Sequence, residues 1–206
     1  MKSKPRSRTA FTLVEVLIAA GILLLVTGGV LTFFISSLRS MNFTTNRIGL
    51  NRDLRYLTQR LMKEGRSAGQ FILYSGFAAA DRTSVPSGGS GNYVVFLKMD
   101  TDGTNVVRSI GYYRDANNAV RCYEQDEPGT STKPTLPAEG TSDGHRLVLE
   151  FAKDYTDLTD RLFLNLSGSG LVVYGQIRND GRKTYKESDP TNPAISTYNF
   201  TITPRG

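Results

Sequence analysis

The chain has 206 residues and a formal net charge of +6. Four of its positive charges precede residue 10, at Lys2, Lys4, Arg6 and Arg8, and the part beyond residue 70 carries fourteen basic against sixteen acidic side chains. That part has no basic cluster, so we expect no nucleic-acid binding there. The only cysteine is Cys122, which excludes an intrachain disulfide.

An uncharged run follows the basic N-terminus. From Val16 to Ile35 there are twenty consecutive residues without a charge, enough for a helix that spans a hydrocarbon core of about 30 Å. Basic residues beside such a helix are retained on the cytoplasmic side. We therefore predict a transmembrane helix over residues 11–38 in an inner membrane, with the N-terminus cytoplasmic and the C-terminal part outside.

One carboxylate, Glu15, stands at the start of this apolar segment. A charged side chain at the centre of a membrane helix raises the free energy of insertion by about 2.5 to 3.5 kcal/mol, and by less near an interface. Glu15 has two interpretations. Lipid headgroups and the positive helix N-terminus can tolerate it, or it can pair with a cation that another subunit supplies.

The order of these features resembles the type IV pilin and pseudopilin family: a basic leader, the small residue Ala10, then Phe11 and T-L-V-E, and an unbroken apolar helix. The family usually has glycine where Ala10 stands. The resemblance implies that prepilin peptidase cleaves between Ala10 and Phe11 and that the new amino group of Phe11 is methylated. It also implies that Glu15 pairs with the Phe11 amino group of a neighbouring subunit. The implied partners are prepilin peptidase, other pilins or pseudopilins, the inner-membrane assembly platform and membrane lipid.

Helical periodicity continues beyond the apolar run. The repeat of about 100° per residue places apolar side chains on one stripe, and these are Phe43, Leu50, Leu54, Leu57, Leu61 and Ala68. Basic residues lie opposite. We predict an amphipathic continuation over residues 39–70 that covers one face of a sheet and ends near residues 66 to 70, where Gly65 and Gly69 weaken the pattern.

The distal part has the composition and turns of an antiparallel β domain. Tyr93–Met99, a D-G turn and Val106–Arg114 predict a hairpin, and a turn at Asn117-Asn118 leads to a third strand. Residues 128–144 form a predicted polar loop. The predicted strands after the hairpin are Val120–Glu124, Arg146–Ala152, Leu171–Arg178 and Tyr198–Thr203.

Two further motifs, R-D-L-R at residues 52–55 and S-I-G-Y-Y-R at residues 109–114, are similar to minor pilins of the W type and to the J-type minor pseudopilin of type II secretion. This resemblance favours a minor subunit.

Few side chains are candidates for catalysis or metal binding. His145 has no second ligand at metal-site spacing, so we interpret it as structural or solvent-facing. Cys122 fits a small core residue better than a nucleophile. Asp100 and Asp102 could bind calcium weakly, although a D-G hairpin turn explains them without a ligand. Asp154, Asp157 and Asp160 recur at every third position and could present three carboxylates on one face of a helical turn. Acidic residues in such a pattern more often form a solvent-exposed edge than a binding site.

We therefore predict an α+β protein with a pilin-like arrangement: a leader at 1–10, a transmembrane helix at 11–38, a stalk continuation at 39–70 and a β-rich domain at 71–206. The predicted function is a non-enzymatic minor structural subunit of a type IV pilus or type II secretion pseudopilus, with no cofactor. The alternative is a single-pass, membrane-anchored periplasmic or extracellular binding module.

Overall fold

A computed structural model describes residues 12–116, 119–138, 144–149, 161–179 and 194–205. The chain divides into two compact units, residues 1–44 and 45–206. Helix α1, Leu13–Ser67, has 55 residues and belongs to both units. Its end lies within the predicted interval of residues 66 to 70. The leader and residue 11 lie outside the described residues.

The N-terminal unit is the first part of α1. Every side chain described there is exposed, including the large apolar ones from Leu13 to Phe43. Within the described ranges α1 is the one helix long and apolar enough to cross a membrane, judged by its length and composition. The predicted long apolar helix is confirmed.

The second unit contains two antiparallel sheets. The first sheet has the strand order β1-β3-β4-β5-β6, and the second has the order β2-β7-β8-β9. A long helix followed by antiparallel sheets confirms the predicted α+β class. The described strands are β1 (Gln70–Tyr74), β2 (Ser90–Gly91), β3 (Tyr93–Met99), β4 (Val106–Arg114), β5 (Val120–Asp126), β6 (Arg146–Leu149), β7 (Phe163–Leu166), β8 (Gly170–Asn179) and β9 (Ala194–Ile202).

The predicted meander of three strands is present. Strands β3 and β4 have the predicted ends, and β5 continues two residues further than predicted, to Asp126. The turn proposed at residues 117–118 lies outside the described residues, as do residues 150–152 of the predicted strand that begins at Arg146. Residues 128–138 of the predicted loop contain no helix or strand. Strands β1, β2 and β7 were not predicted.

The amphipathic stripe of α1 packs against the two sheets. Leu50, Leu57, Leu61 and Ala68 are buried in one cluster with inward-facing residues of both sheets, and Leu54 packs against it. Phe43 is an exception to the prediction, because it lies in the N-terminal unit, where its side chain is exposed.

Gly65 lets the helix approach the sheets closely. A Cβ atom at this position would overlap the side chains of Ile202 and Phe96. The glycine that weakens the helical pattern in the sequence therefore serves packing in the structure.

Both faces of the first sheet are covered. Along β3, Val94 and Phe96 face the helix, whereas Tyr93, Val95 and Leu97 belong to a second apolar cluster on the opposite face. This alternation explains why the sequence of β3 is apolar throughout.

Candidate functional site

The first turn of α1 places Glu15 against Thr12. The backbone N–H of Thr12 donates to Oε2 of Glu15 over 2.9 Å, and the Thr12 hydroxyl donates to the same oxygen over 2.9 Å. In return, the N–H of Glu15 donates to the hydroxyl oxygen of Thr12 over 3.3 Å. This is the reciprocal capping box of a T-x-x-E sequence, which satisfies N–H groups that a helix N-terminus leaves without partners.

The capping box fixes the direction of the Glu15 carboxylate. The side chain is exposed, and a negative charge in the first turn interacts favourably with the helix dipole. Among the described residues, Oε2 accepts both hydrogen bonds from Thr12 and Oε1 accepts none. Thr12 therefore provides the Glu15 carboxylate with partners in its own helical turn, and Oε1 can still accept a hydrogen bond from another donor.

Apolar side chains surround this carboxylate along the chain. Leu13, Val14, Val16 and Leu17 are each more than half exposed. A continuous apolar surface of this extent marks a contact with lipid or with other proteins. The start of α1 thus combines one oriented charge with an apolar surface.

Ala10 and Phe11, the predicted cleavage residues, lie outside the described residues, and their roles stay predictions. The role of Thr12 was not predicted from the sequence. The spacing of threonine and glutamate before an apolar run was sufficient to indicate it.

The acidic loop between β3 and β4 is a closed turn. The N–H of Thr104 donates to Oδ1 of Asp100 over 2.8 Å, and Nδ2 of Asn105 donates to Oδ2 over 3.2 Å. The hydrogen bond from the Thr104 backbone is the main reason that the pKa of Asp100 is lowered. Both carboxylate oxygens of Asp100 therefore already have partners within the turn, and Asp102 is exposed. The described residues contain no group of three His, Cys, Asp or Glu side chains that could hold a metal ion.

His145 lies in an aromatic cluster on the face of the first sheet opposite the helix. Its ring stacks on Tyr123 with centroids 5.2 Å apart, and Nδ1 is 2.8 Å from the hydroxyl of Tyr113. Burial and the nearby Arg121 lower the pKa of His145. The imidazole therefore has a structural role in this cluster. This agrees with the first of the two interpretations from the sequence, structural or solvent-facing.

Cys122 is a core residue, as predicted. It is buried under α1, and burial raises the pKa of its thiol. The three acids Asp154, Asp157 and Asp160 lie outside the described residues.

A family model described as the prokaryotic N-terminal methylation motif matches residues 5–31. No curated protein matches the chain, and no solved structure matches it. The matched residues include Ala10, Phe11, Thr12 and Glu15, together with most of the uncharged run. The chain therefore carries, at the start of its long apolar helix, a methylation motif that supports a type IV pilin-like precursor.

Proposed function

We propose that this protein is a minor structural subunit of a type IV pilus or a type II secretion pseudopilus. The observation that carries the proposal is the coincidence of the methylation motif with a long exposed apolar helix that begins at the capping box of Thr12 and Glu15. The R-D-L-R and S-I-G-Y-Y-R motifs favour a minor over a major subunit. The single cysteine agrees with this, because it leaves no pair for a disulfide-closed C-terminal loop.

Processing precedes assembly in this proposal. Prepilin peptidase cleaves between Ala10 and Phe11 on the cytoplasmic side, and the amino group of Phe11 is methylated. The four basic residues of the leader favour a cytoplasmic N-terminus, so the β domain lies outside. Before assembly, α1 anchors the chain in the inner membrane.

Glu15 acts at the moment of assembly. The amino group of Phe11 in a neighbouring subunit meets the Glu15 carboxylate as the helices bundle on the assembly platform. Two opposite charges in a low-dielectric bundle relieve each other's desolvation and fix the axial register of the two helices. The hydrogen bonds from Thr12 hold the carboxylate in one orientation before its partner arrives, which reduces the entropy lost on pairing.

Intact-mass and N-terminal analysis of protein from its native host tests the processing step. The expected chain begins at a methylated Phe11, and cells that lack prepilin peptidase should retain residues 1–10. A stable uncleaved chain in cells with active peptidase would contradict the proposal.

Replacement of the Glu15 carboxylate tests assembly. We expect Glu15→Ala to abolish incorporation into the filament while membrane insertion is retained. Asp126→Ala removes the same charge from a side chain that is 90 % exposed in the second unit, and it should leave incorporation intact. If Glu15→Ala had no functional effect, the chain would instead be a single-pass anchored binding module.

A further inference from the structure

Tyr56 contacts two arginines on the second unit. Nη1 of Arg60 donates to the Tyr56 hydroxyl over 3.2 Å, and Nε of the same arginine donates to the hydroxyl of Tyr112 over 3.1 Å. The guanidinium carbon of Arg146 lies 5.7 Å from the centroid of the Tyr56 ring. We call Tyr56, Arg60 and Arg146 the arginine–tyrosine surface.

Strand register builds this surface. Tyr112 pairs with Cys122 across β4 and β5, and Cys122 pairs with Arg146 across β5 and β6. The three residues therefore form one row across the sheet. Helix α1 contributes Tyr56 and Arg60, one turn apart, so residues remote in sequence bring two guanidinium groups to one tyrosine, Arg60 at its hydroxyl and Arg146 over its ring.

Neither arginine has a carboxylate partner among the described residues. Glu64 stands one helical turn after Arg60, but its carboxylate pairs with Lys98 over 3.3 Å. Glu124, on strand β5, pairs with Arg108 over 2.6 Å. Among the described residues, the nearby acids therefore do not neutralise the two positive charges of this surface.

All three side chains of this surface are at least partly exposed to solvent. Arg60 is half-buried, and in the described part of the chain none of its side-chain nitrogens is both fully buried and without a hydrogen-bond partner. Tyr56 is 39 % exposed and Arg146 is exposed. Exposed tyrosine and arginine side chains held in place by their neighbours are typical of binding hot spots, and guanidinium groups bind carboxylates through paired hydrogen bonds.

We propose that the arginine–tyrosine surface binds an acidic segment of a neighbouring protein subunit, through aspartate or glutamate carboxylates. The neighbour's identity as a filament subunit rests on the proposed function, whereas binding of an acidic segment does not. A protein fits better than a lipid surface, because Tyr56 lies several turns of α1 beyond Leu38, the last residue of the uncharged run, with Arg39 and Arg47 between them.

Nuclear magnetic resonance of the full chain in nanodiscs of neutral lipid tests this proposal. Each arginine Nε–Hε group gives its own signal, so binding at this surface is separated from binding at the basic leader. An oligoglutamate peptide should shift the signals of Arg60 and Arg146 saturably and leave that of Arg55 unchanged. An oligoglutamine peptide should shift none of them.

Two matched variants make the test specific. Arg146→Gln should raise the dissociation constant measured at the Arg60 signal by about tenfold, because one charge-assisted pair is lost. Arg66→Gln removes the same charge from an exposed position on the same helix and should change the constant by less than about twofold.

Three results would overturn the proposal: no shift with oligoglutamate, an equal loss of affinity in both variants, or shifts of Arg60 and Arg146 produced by phosphatidylglycerol vesicles but not by the peptide. None of these results depends on leader cleavage or on Glu15. Failure here is therefore distinguishable from failure of the filament proposal, which the mature N-terminus and the Glu15→Ala variant decide.

Discussion

The ring of Tyr123 lies across Gly111, the residue with which it pairs on the neighbouring strand. A Cβ atom on Gly111 would overlap the Tyr123 ring. The glycine therefore lets the ring lie flat on the sheet, where its hydroxyl reaches the hydroxyl of Tyr93 and its face stacks on His145. The second sheet repeats the arrangement with Gly175 and its partner Tyr198. Pairing of an aromatic ring with a cross-strand glycine compensates for the glycine's lack of a side chain.

Gly111→Ala should destabilise the β domain by about 1 to 3 kcal/mol, because the added methyl group forces the Tyr123 ring out of its packed position. Urea denaturation of the full chain in nanodiscs, followed by tyrosine fluorescence, measures the change. Gly170→Ala is the control, since a Cβ atom there would meet its nearest neighbours at an ordinary 3.7 Å. Equal stabilities of the two variants would show that the ring moves aside without cost.

Much of the fold follows from local sequence patterns. The apolar and β-branched runs of β3 and β4, joined by a D-G turn, were sufficient to predict their ends. Strand β1 was not predicted, because Gln70–Tyr74 follows the helix after two residues and five residues carry no reliable period. Strand β7, Phe163–Leu166, is shorter still. Short runs of this kind become strands only through pairing: β1 pairs with β3, and β7 pairs with both β2 and β8.

The two candidate sites differ in the same way. Glu15 and Thr12 lie within one helical turn, so their interaction can be predicted from spacing alone. Arg60 and Arg146 are 86 positions apart by their numbers in the chain, and only the pairing of β4, β5 and β6 brings them to one tyrosine. Sequence reasoning could not find that surface, because no local period connects the residues.

Acidification should weaken the β domain through His145. Burial and Arg121 lower the pKa of this imidazole below its ordinary value of about 6.5, so the unfolded chain binds the proton more readily than the folded one. Stability is therefore unaffected above about pH 7 and falls as the pH drops through 6.5 towards the folded pKa. His145 is the only histidine, so its carbon–proton NMR signal reports the pKa directly.

His145→Phe keeps an aromatic ring against Tyr123 and removes the titration. The melting temperature of this variant should vary less between pH 7 and pH 5.5 than that of the original chain, a window above the range in which most carboxylates titrate. A measured histidine pKa at or above 6.5 would contradict the expected direction.

Cys122 should react slowly with thiol reagents in the folded protein. The side chain is 2 % exposed, and burial raises the pKa of the thiol, so both access and thiolate formation are restricted. We expect labelling by a maleimide at pH 7 to be at least about a hundredfold slower than in urea. Because the chain has one cysteine, intact mass gives the rate without ambiguity. Rapid labelling of the folded chain would place the thiol at the surface instead.

Thr12→Ala should loosen the start of α1. The variant loses the hydroxyl that accepts from the N–H of Glu15 and donates to its carboxylate, and loss of an N-cap side chain costs about 1 kcal/mol. Hydrogen exchange of the amides of Glu15 and Val16, which donate to Thr12, should therefore become about fivefold faster in nanodiscs. Thr12→Ser keeps the hydroxyl and should restore the original rate. Thr27→Ala is the matched control, because the Thr27 hydroxyl donates to the Leu23 carbonyl within the helix and has no part in its first turn. An unchanged rate in Thr12→Ala would mean that Glu15 is held by groups other than Thr12, and assembly should then be insensitive to residue 12.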